Sequence, residues 1–166
     1  MTKKRNTVFS KDLDLIVYDF DGVMTDNRVI IFQDGTEAVV VNRADGFSIE
    51  YIRKLGIPQL ILSTETNPVV KARAGKLGLK VIGSCEDKKI ALINYCLQNG
   101  LDLKKVIYIG NDLNDLEVMK IVGYPIAPAD AHQDIRKISR LVTKAKGGEG
   151  VVRELIDIIQ WENIHE

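Results

Sequence analysis

Short apolar runs separated by amphipathic stretches recur along the whole chain, and this alternation constrains the fold more than any other feature. Leu13–Tyr18, Gln59–Leu62, Leu79–Gly83 and Val106–Ile109 read as buried strands, with Asp14 a charged exception in the first. The stretches between them carry helix punctuation. Asp45 can cap a helix with Phe47, Tyr51, Ile52 and Leu55 on one face, ending at Gly56. Asn67-Pro68 reads as a cap and a first helical residue, and that helix runs through Val70, Ala74 and Leu77 to Gly78. Asp87 opens a helix with Ile90, Ile93 and Leu97 inward, closed by Asn99-Gly100. Asp112–Val122 is a helix ended by Gly123, and Glu149–Trp161 is the last helix. Tyr124–Ala127 and Leu141–Thr143 read as short, edge-like strands. Arg28–Phe32 and Ala38–Val41 flank Gln33-Asp34-Gly35-Thr36, whose Asp-Gly is a hairpin signal, so a β-hairpin flap is predicted over about 27–42. Strands alternating with helices predict an α/β, Rossmann-like three-layer sandwich around a mostly parallel sheet. Chemistry in such sheets sits beyond the carboxyl ends of the strands.

The 166 residues suffice for one domain, taken as 1–166. Lys plus Arg and Asp plus Glu number 23 each, so the net charge is zero and gives no global case for nucleic acid or an anionic membrane. No stretch approaches the roughly 20 apolar residues of a spanning helix. The start MTKKRNTVFS has basic residues without an apolar run behind them, unlike a signal peptide. Cys85 and Cys96 lack metal-site spacing and fit a reducing compartment, so the expected location is cytoplasmic.

Two carboxylates leave the first buried strand together in Asp19-Phe20-Asp21-Gly22, because residues i and i+2 of an extended segment point the same way. Close carboxylates need a cation or a shared proton, and a hard, oxygen-seeking Mg²⁺ suits them. The strand Gln59–Leu62 ends in Ser63-Thr64, and the strand Val106–Ile109 ends in Gly110-Asn111-Asp112-Leu113-Asn114-Asp115. Lys88 sits in a first helical turn, where the helix dipole disfavours an ammonium, so either another group wants it there or it is a solvated lysine. His132 and His165 have no paired nucleophile, which argues against a Ser-His or Cys-His hydrolase. Gly148-x-Gly150 lacks the third glycine of a dinucleotide loop, with Arg153 in its place.

The order of these motifs resembles the haloacid dehalogenase (HAD) superfamily of phosphatases. Asp19-Phe20-Asp21-Gly22-Val23-Met24-Thr25-Asp26 matches its first motif, Ser63 its second, Lys88 its third and Gly110–Asp115 its fourth. The segments 63–74 and 147–154 are similar to the small, capless branch that hydrolyses phosphorylated sugar acids, 3-deoxy-octulosonate 8-phosphate and nonulosonate 9-phosphate among them. The resemblance implies a HAD-like fold and a Mg²⁺-dependent phosphatase working through an aspartyl-phosphate. Asp19 would be the nucleophile and Asp21 the acid and base, with Ser63 donating to the phosphoryl group and Lys88 balancing its charge. Asp19, Asp21 through its carbonyl, and either Asn111 or Asp112 would hold the metal. Asn111 stands where many relatives carry an aspartate. Asp115 would orient Lys88 or a metal-bound water. Glu65, Arg73 and Lys76, with Thr64 and the polar loop Asn42, Arg43, Asp45 and Gly46, would face the substrate or a neighbour's site. From the residues alone, Arg73 and Lys76 also read as a solvated helix face and Asp45 as a plain cap.

The branch also implies a homotetramer in which the hairpin closes a neighbour's site. The sequence pattern leaves open whether the hairpin's apolar residues meet a partner or fold onto their own core. The Gly147–Gly150 segment reads either as a flexible link into the last helix, with that segment and helix spanning about 147–161, or as a piece of an active site. The same resemblance supports a second reading, a weakly active or non-catalytic oligomerisation module like the domain linked to cytidylyl-sialic acid synthetases. The expected partners are a phosphorylated sugar acid and further copies of the chain, with no nucleic acid and no membrane.

Overall fold

The computed structural model describes residues 8–160. Its centre is a six-stranded sheet in the order β6 (Lys80–Ile82), β5 (Gln59–Leu62), β2 (Leu15–Tyr18), β7 (Val106–Ile109), β8 (Tyr124–Ala127) and β9 (Leu141–Val142). Every pairing in it is parallel. Within this sheet the path starts at β2, builds outward through β5 and β6, then crosses back to β7 on the other side of β2. Strand order therefore reverses around β2, and the carboxyl ends of β2, β5 and β7 border the crevice that such a reversal creates.

Both faces of the sheet are covered, so the strands are apolar almost throughout. Ile16 and Tyr18 of β2 join one core with Ile49 and Ile52 of α1 (Ala44–Lys54), Val70 and Ala74 of α2 (Pro68–Leu77) and Val152 and Leu155 of α6 (Val151–Ile158). Leu15 and Val17 join the other, with Leu92 and Cys96 of α3 (Lys88–Asn99), Val118 of α4 (Leu116–Met119) and Ile135 of α5 (Gln133–Ile138). The three-layer expectation is met. An antiparallel hairpin, β3 (Thr25–Ile31) with β4 (Glu37–Val41), stands apart from the sheet. Val8–Phe9 (β1) pairs in parallel with Ile159–Gln160 (β10), a contact between the two ends of the described chain that local patterning does not signal.

Several helix signals hold. Asn67 Oδ1 accepts from the Val69 N–H at 3.0 Å, and Asp87 Oδ1 from the Ile90 N–H at 3.0 Å, as caps should. Other expectations need correction. On α1, Phe47 is 64% exposed and Tyr51 and Leu55 also face outward, while Asp45, Ser48, Ile49 and Ile52 are buried. The helix has apolar residues on two faces, and periodicity alone cannot choose between them. On α3, Ile90 and Leu97 are exposed, the latter at 76%, and Lys88, Leu92 and Cys96 face in at positions i, i+4 and i+8. Lys88 sets that rotation because its ammonium has buried partners. The helix expected over 112–122 is a 3-10 turn, Leu113–Asp115, followed by the single turn of α4. Tyr124–Ala127 is an interior strand, paired on both sides. The first strand begins at Leu15, since Asp14 turns aside to accept from the Asp102 N–H. The last helix ends at Ile158, and the expected end at Trp161 lies outside the described residues.

Asp45 is not a cap. The helix begins at Ala44, so Asp45 lies inside its first turn, 2% exposed, with Oδ1 lacking a hydrogen-bond partner, as does Ser48 Oγ nearby. Burial pushes the Asp45 carboxyl up to about 7, and the Arg73 guanidinium offsets only part of this. A carboxyl whose folded pKa is raised contributes stability in full below about pH 4, its unfolded range, and loses it as the pH climbs through about 7. Asp45→Asn is therefore expected to melt several degrees above the parent at pH 8, with the gap closing near pH 4, as read by calorimetric melts across that range.

Candidate active site

The carboxyl end of β2 carries Asp19, buried, and Asp21, half-buried, with Phe20 packed into the core between them. The chain then turns sharply: the N–H groups of Val23, Met24 and Thr25 all point at the Phe20 carbonyl, at 3.3, 2.9 and 3.2 Å. Gly22 makes this turn possible with φ +79°, and a Cβ there would fall 1.8 Å from Asn111 Nδ2. Thr25 Oγ1 accepts from the N–H groups of Gly22 and Asn27 at 3.2 and 3.1 Å and faces Asp21 Oδ1 at 3.5 Å. The glycine-rich segment braces the turn from outside. Gly148 N–H donates to the Val23 carbonyl at 3.0 Å, and a Cβ on Gly147 would sit 2.2 Å from the Gly22 carbonyl oxygen. Of the two sequence readings, the segment belongs beside the site, and it does so within its own chain.

Lys88 supplies what Asp19 needs. Its side chain is 1% exposed, and Nζ donates to Asp19 Oδ1 at 2.7 Å and to Asp115 Oδ1 at 2.7 Å. Asp115, wholly buried, also accepts from Tyr108 Oη at 2.8 Å and, through Oδ2, from the N–H groups of Asn111 at 2.9 Å and Asp112 at 3.4 Å. Asp115 thus fixes Lys88 and the whole turn after β7. Two buried carboxylates share one ammonium, which leaves a deficit of positive charge. Burial and the Asp115 charge push the Asp19 carboxyl up, and Lys88 only partly opposes them. Asp21 is also pushed up, first by burial and then by the Glu65 charge. Burial pulls the Lys88 ammonium down, but the Asp19 and Asp115 charges outweigh it and the net movement is up.

Ser63 follows β5 and is buried, and its Oγ accepts from the Glu65 N–H at 3.0 Å, so the hydroxyl proton remains to be given to a ligand. Cys85 Sγ donates to the Ser63 carbonyl at 3.5 Å, and burial pushes its thiol up, which keeps it a protonated packing group. Asp19, Asp21, Ser63, Thr64, Asn111 and Asp112 line one cleft of about 250 Å³ with Asn27 and Asn114. The four motifs therefore converge on one place.

The substrate-side expectations divide. Arg43, Gly46, Arg73 and Lys76 line a different cleft, of about 320 Å³, between the end of β4 and α2. Arg73 Nη2 donates to the Asn42 carbonyl at 2.9 Å, and Asn42 Nδ2 to the Gly148 carbonyl at 3.3 Å, so Asn42 ties the hairpin's end to the brace rather than facing the carboxylates. Asp45 lies beneath α1 and lines neither cleft. Glu65 lines a third cleft, beside Asp21. Sequence reasoning missed Tyr108, whose hydroxyl holds Asp115; a lone polar oxygen in the otherwise aliphatic run Val106–Ile109 was the available signal. Thr25 and Asn114 lie within the quoted motifs but were given no role of their own, and Asn27 only marked the start of the hairpin.

The donors suit a hard cation. Among the described residues no three His, Cys, Asp or Glu side chains gather as a closed metal cage. The cleft instead offers the Asp19 carboxylate and the Asn111 amide oxygen over a site short of positive charge. One or two protein oxygens completed by water and phosphate is the usual Mg²⁺ arrangement.

The model of the haloacid dehalogenase-like hydrolases matches residues 59–155. The chain belongs to this family. It is 32% identical over 149 residues to the 3-deoxy-D-manno-octulosonate 8-phosphate phosphatase KdsC of Yersinia pestis, covering 89% of this chain and 80% of that one. A solved HAD family hydrolase from Streptomyces avermitilis is 46% identical, with TM-score 0.90, covering 92% of this chain and 88% of that one. The Moraxella catarrhalis 3-deoxy-D-manno-octulosonate 8-phosphate phosphatase, solved with magnesium ion, phosphate ion and KDO, is 31% identical with TM-score 0.84, covering 88% and 84%. These relatives make the chain a HAD phosphatase of the KdsC-like branch.

Removing the shared ammonium should strand two buried carboxylates. Lys88→Met is expected to lower unfolding free energy by about 3 kcal/mol at pH 7.5, read from urea denaturation with an unchanged m-value.

Proposed function

We propose that the chain is a Mg²⁺-dependent phosphatase of a phosphorylated 3-deoxy-keto sugar acid, 3-deoxy-octulosonate 8-phosphate or a nonulosonate 9-phosphate, acting through an aspartyl-phosphate. The observation that carries this reading is the placement of Asp19, Asp21, Ser63 and the Asn111 turn on one cleft, with Lys88 held against Asp19. The sugar-acid class rests on the named substrate of the relatives, and the metal on the magnesium of the Moraxella structure.

Lys88 engages Asp19 Oδ1 and leaves Oδ2 to attack phosphorus. Asp21, its carboxyl pushed up by burial, carries a proton to the leaving sugar oxygen and then takes one from the water that opens the aspartyl-phosphate. Ser63 Oγ–H and the remaining Lys88 proton meet the phosphoryl oxygens. Asp19, the Asp21 carbonyl and Asn111 would hold the cation, which supplies neutralisation of the charge that develops on the phosphoryl group. Asn111 is favoured over Asp112 because Asp112 is exposed and its Oδ1 already accepts from the Leu113 N–H at 2.7 Å.

The hairpin supports a homo-oligomer. Val39 and Val41 pack against the core, whereas Val29, Ile30, Phe32 and Val40 are exposed and Ile31 is 68% exposed. In a tetramer the Arg43, Arg73 and Lys76 cleft would serve a neighbour's sugar acid, since it does not open on its own chain's carboxylates. Among the described residues no helix is long and apolar enough to cross a membrane, and the free thiols of Cys85 and Cys96 favour a reducing, cytoplasmic setting.

Purified protein with Mg²⁺ is expected to release inorganic phosphate from 3-deoxy-octulosonate 8-phosphate, and chelation or Asp19→Asn should reduce release at least 10³-fold. Undiminished release from Asp19→Asn would remove the mechanism. Restoring a second metal-facing charge with Asn111→Asp should lower the Mg²⁺ concentration for half-maximal activity about tenfold.

A further inference from the structure

A cleft of about 280 Å³ starts at Asp21 and Asn27, which it shares with the phosphoryl cleft, and runs outward between the hairpin and the start of α2. Val29, Val39 and Val69 give it apolar walls. Glu37, Glu65 and Asn67 give it a polar one. These groups are held in place. Asn67 Nδ2 donates to Glu37 Oε2 at 2.8 Å while Asn67 Oδ1 caps α2 through the Val69 N–H, so one amide ties hairpin to helix. Glu65 Oε1 accepts from the N–H groups of Thr66 and Asn67 at 2.7 and 3.0 Å. Each carboxylate has one oxygen engaged and one left to accept. Arg28, the cation on this wall, is turned to Asp26, with Nη2 to Oδ2 at 2.6 Å and its side chain 85% exposed.

We infer that this cleft receives the leaving alcohol, and that Glu37 and Glu65 select a neutral polyol next to the ester oxygen and reject esters with a carboxylate within three carbons of the phosphate. The inference rests on the phosphatase reading and adds the chemistry of the substrate's near end. With the ester oxygen at Asp21, the acid of the proposed mechanism, the shared lining of the two clefts leads the first carbons beyond it between the valines and the two glutamates. Hydroxyls there donate to glutamate oxygens while C–H faces lie on valine. A carboxylate there meets two like charges, and Arg28, the cation among the described residues lining the cleft, is already paired with Asp26. At about 6 Å and an effective dielectric of about 40, each such charge disfavours binding about tenfold. A sugar acid whose carboxylate lies at the far end from its phosphate escapes that repulsion.

Glycerol 3-phosphate and 3-phosphoglycerate make a matched pair, differing only by a hydroxymethyl or a carboxylate at the third carbon. With Mg²⁺ present, kcat/KM is expected to favour glycerol 3-phosphate about 100-fold, and Glu37→Gln should narrow the ratio about tenfold. The ratio is taken within one protein, so partial loss of folded enzyme cancels. The same preference is expected in the affinities of Asp19→Asn protein, read by titration under ³¹P NMR. A ratio near one in the wild type, or one that Glu37→Gln leaves unchanged, overturns the inference. If neither ester turns over, the NMR affinities decide it alone, while failure to hydrolyse the sugar-acid ester itself counts against the phosphatase reading instead.

Discussion

The ammonium of Lys88, shared between Asp19 and Asp115, is the contact on which the rest of the site depends. Burying three charges is favourable only when each is paired and its remaining hydrogen-bonding capacity is filled. The fold meets this from three elements. β2 and β7 are neighbours with Tyr18 opposite Ile109, so Asp19 and the turn at Gly110 leave the sheet side by side. The turn itself is a capping box in which Asp112 and Asp115 satisfy each other's backbone, which brings the Asp115 carboxylate back beneath Asn111. α3 starts at an Asp87 cap and presents Lys88 in its first turn, with Leu92 and Cys96 below it anchoring the same face to the core. A lysine opposed by the helix dipole is thereby paired with two carboxylates, which outweigh the dipole.

The same contact explains which parts of the molecule were legible in the sequence. Strand and cap signals are local, so the buried runs and the Asn67 and Asp87 caps could be read directly. The spacing of Asp19 and Asp21 and the positions of Ser63 and Lys88 at element ends were enough to place them around one crevice once the sheet was taken as parallel. Helix rotation was not local. Phe47, Tyr51 and Leu55 form as good a stripe as Ser48, Ile49 and Ile52, and only the tertiary position of α1 against the sheet selects the latter. For α3 the deciding residue was a charged one, which hydrophobic periodicity discards by construction. Asp45 failed for a related reason: its sequence position is that of a cap, but its side chain is committed to the interior.

The substrate-side residues were the least legible, because closeness along the chain does not carry across clefts. Glu65 stands beside Asp21, whereas Arg73 and Lys76, on the next helix, line the separate cleft with Arg43 and Gly46. The structure thus places the two glutamates and the Arg73 and Lys76 cations in different clefts over a short length of chain, with Arg28 of the glutamate cleft paired to Asp26. Each glutamate beside Asp21 is pinned by backbone or Asn67 donors, and each set of charges has its own cleft.

That separation has a physical consequence for a doubly charged substrate. A phosphate ester of a sugar acid carries a dianion at one end and a carboxylate at the other, and a crevice lined by Asp19, Asp21 and Asp112 repels both. Lys88 is paired with Asp19 and Asp115, which leaves one of its three N–H donors for a phosphoryl oxygen and no net positive charge in the crevice. On the proposed reading the phosphoryl end enters with a cation held by Asp19 and Asn111, and the carboxylate end lies with the guanidinium and ammonium groups that line the Arg43, Arg73 and Lys76 cleft. A binding energy divided in this way would make occupancy of the crevice depend on metal, and productive length depend on a second set of cations. A short ester with its carboxylate beside its phosphate cannot reach that second set of cations. The hairpin lines the acidic cleft through Val29, Glu37 and Val39 and leaves Ile30, Ile31 and Phe32 exposed, so in the proposed oligomer it is the element that joins this cleft to a second copy's cations.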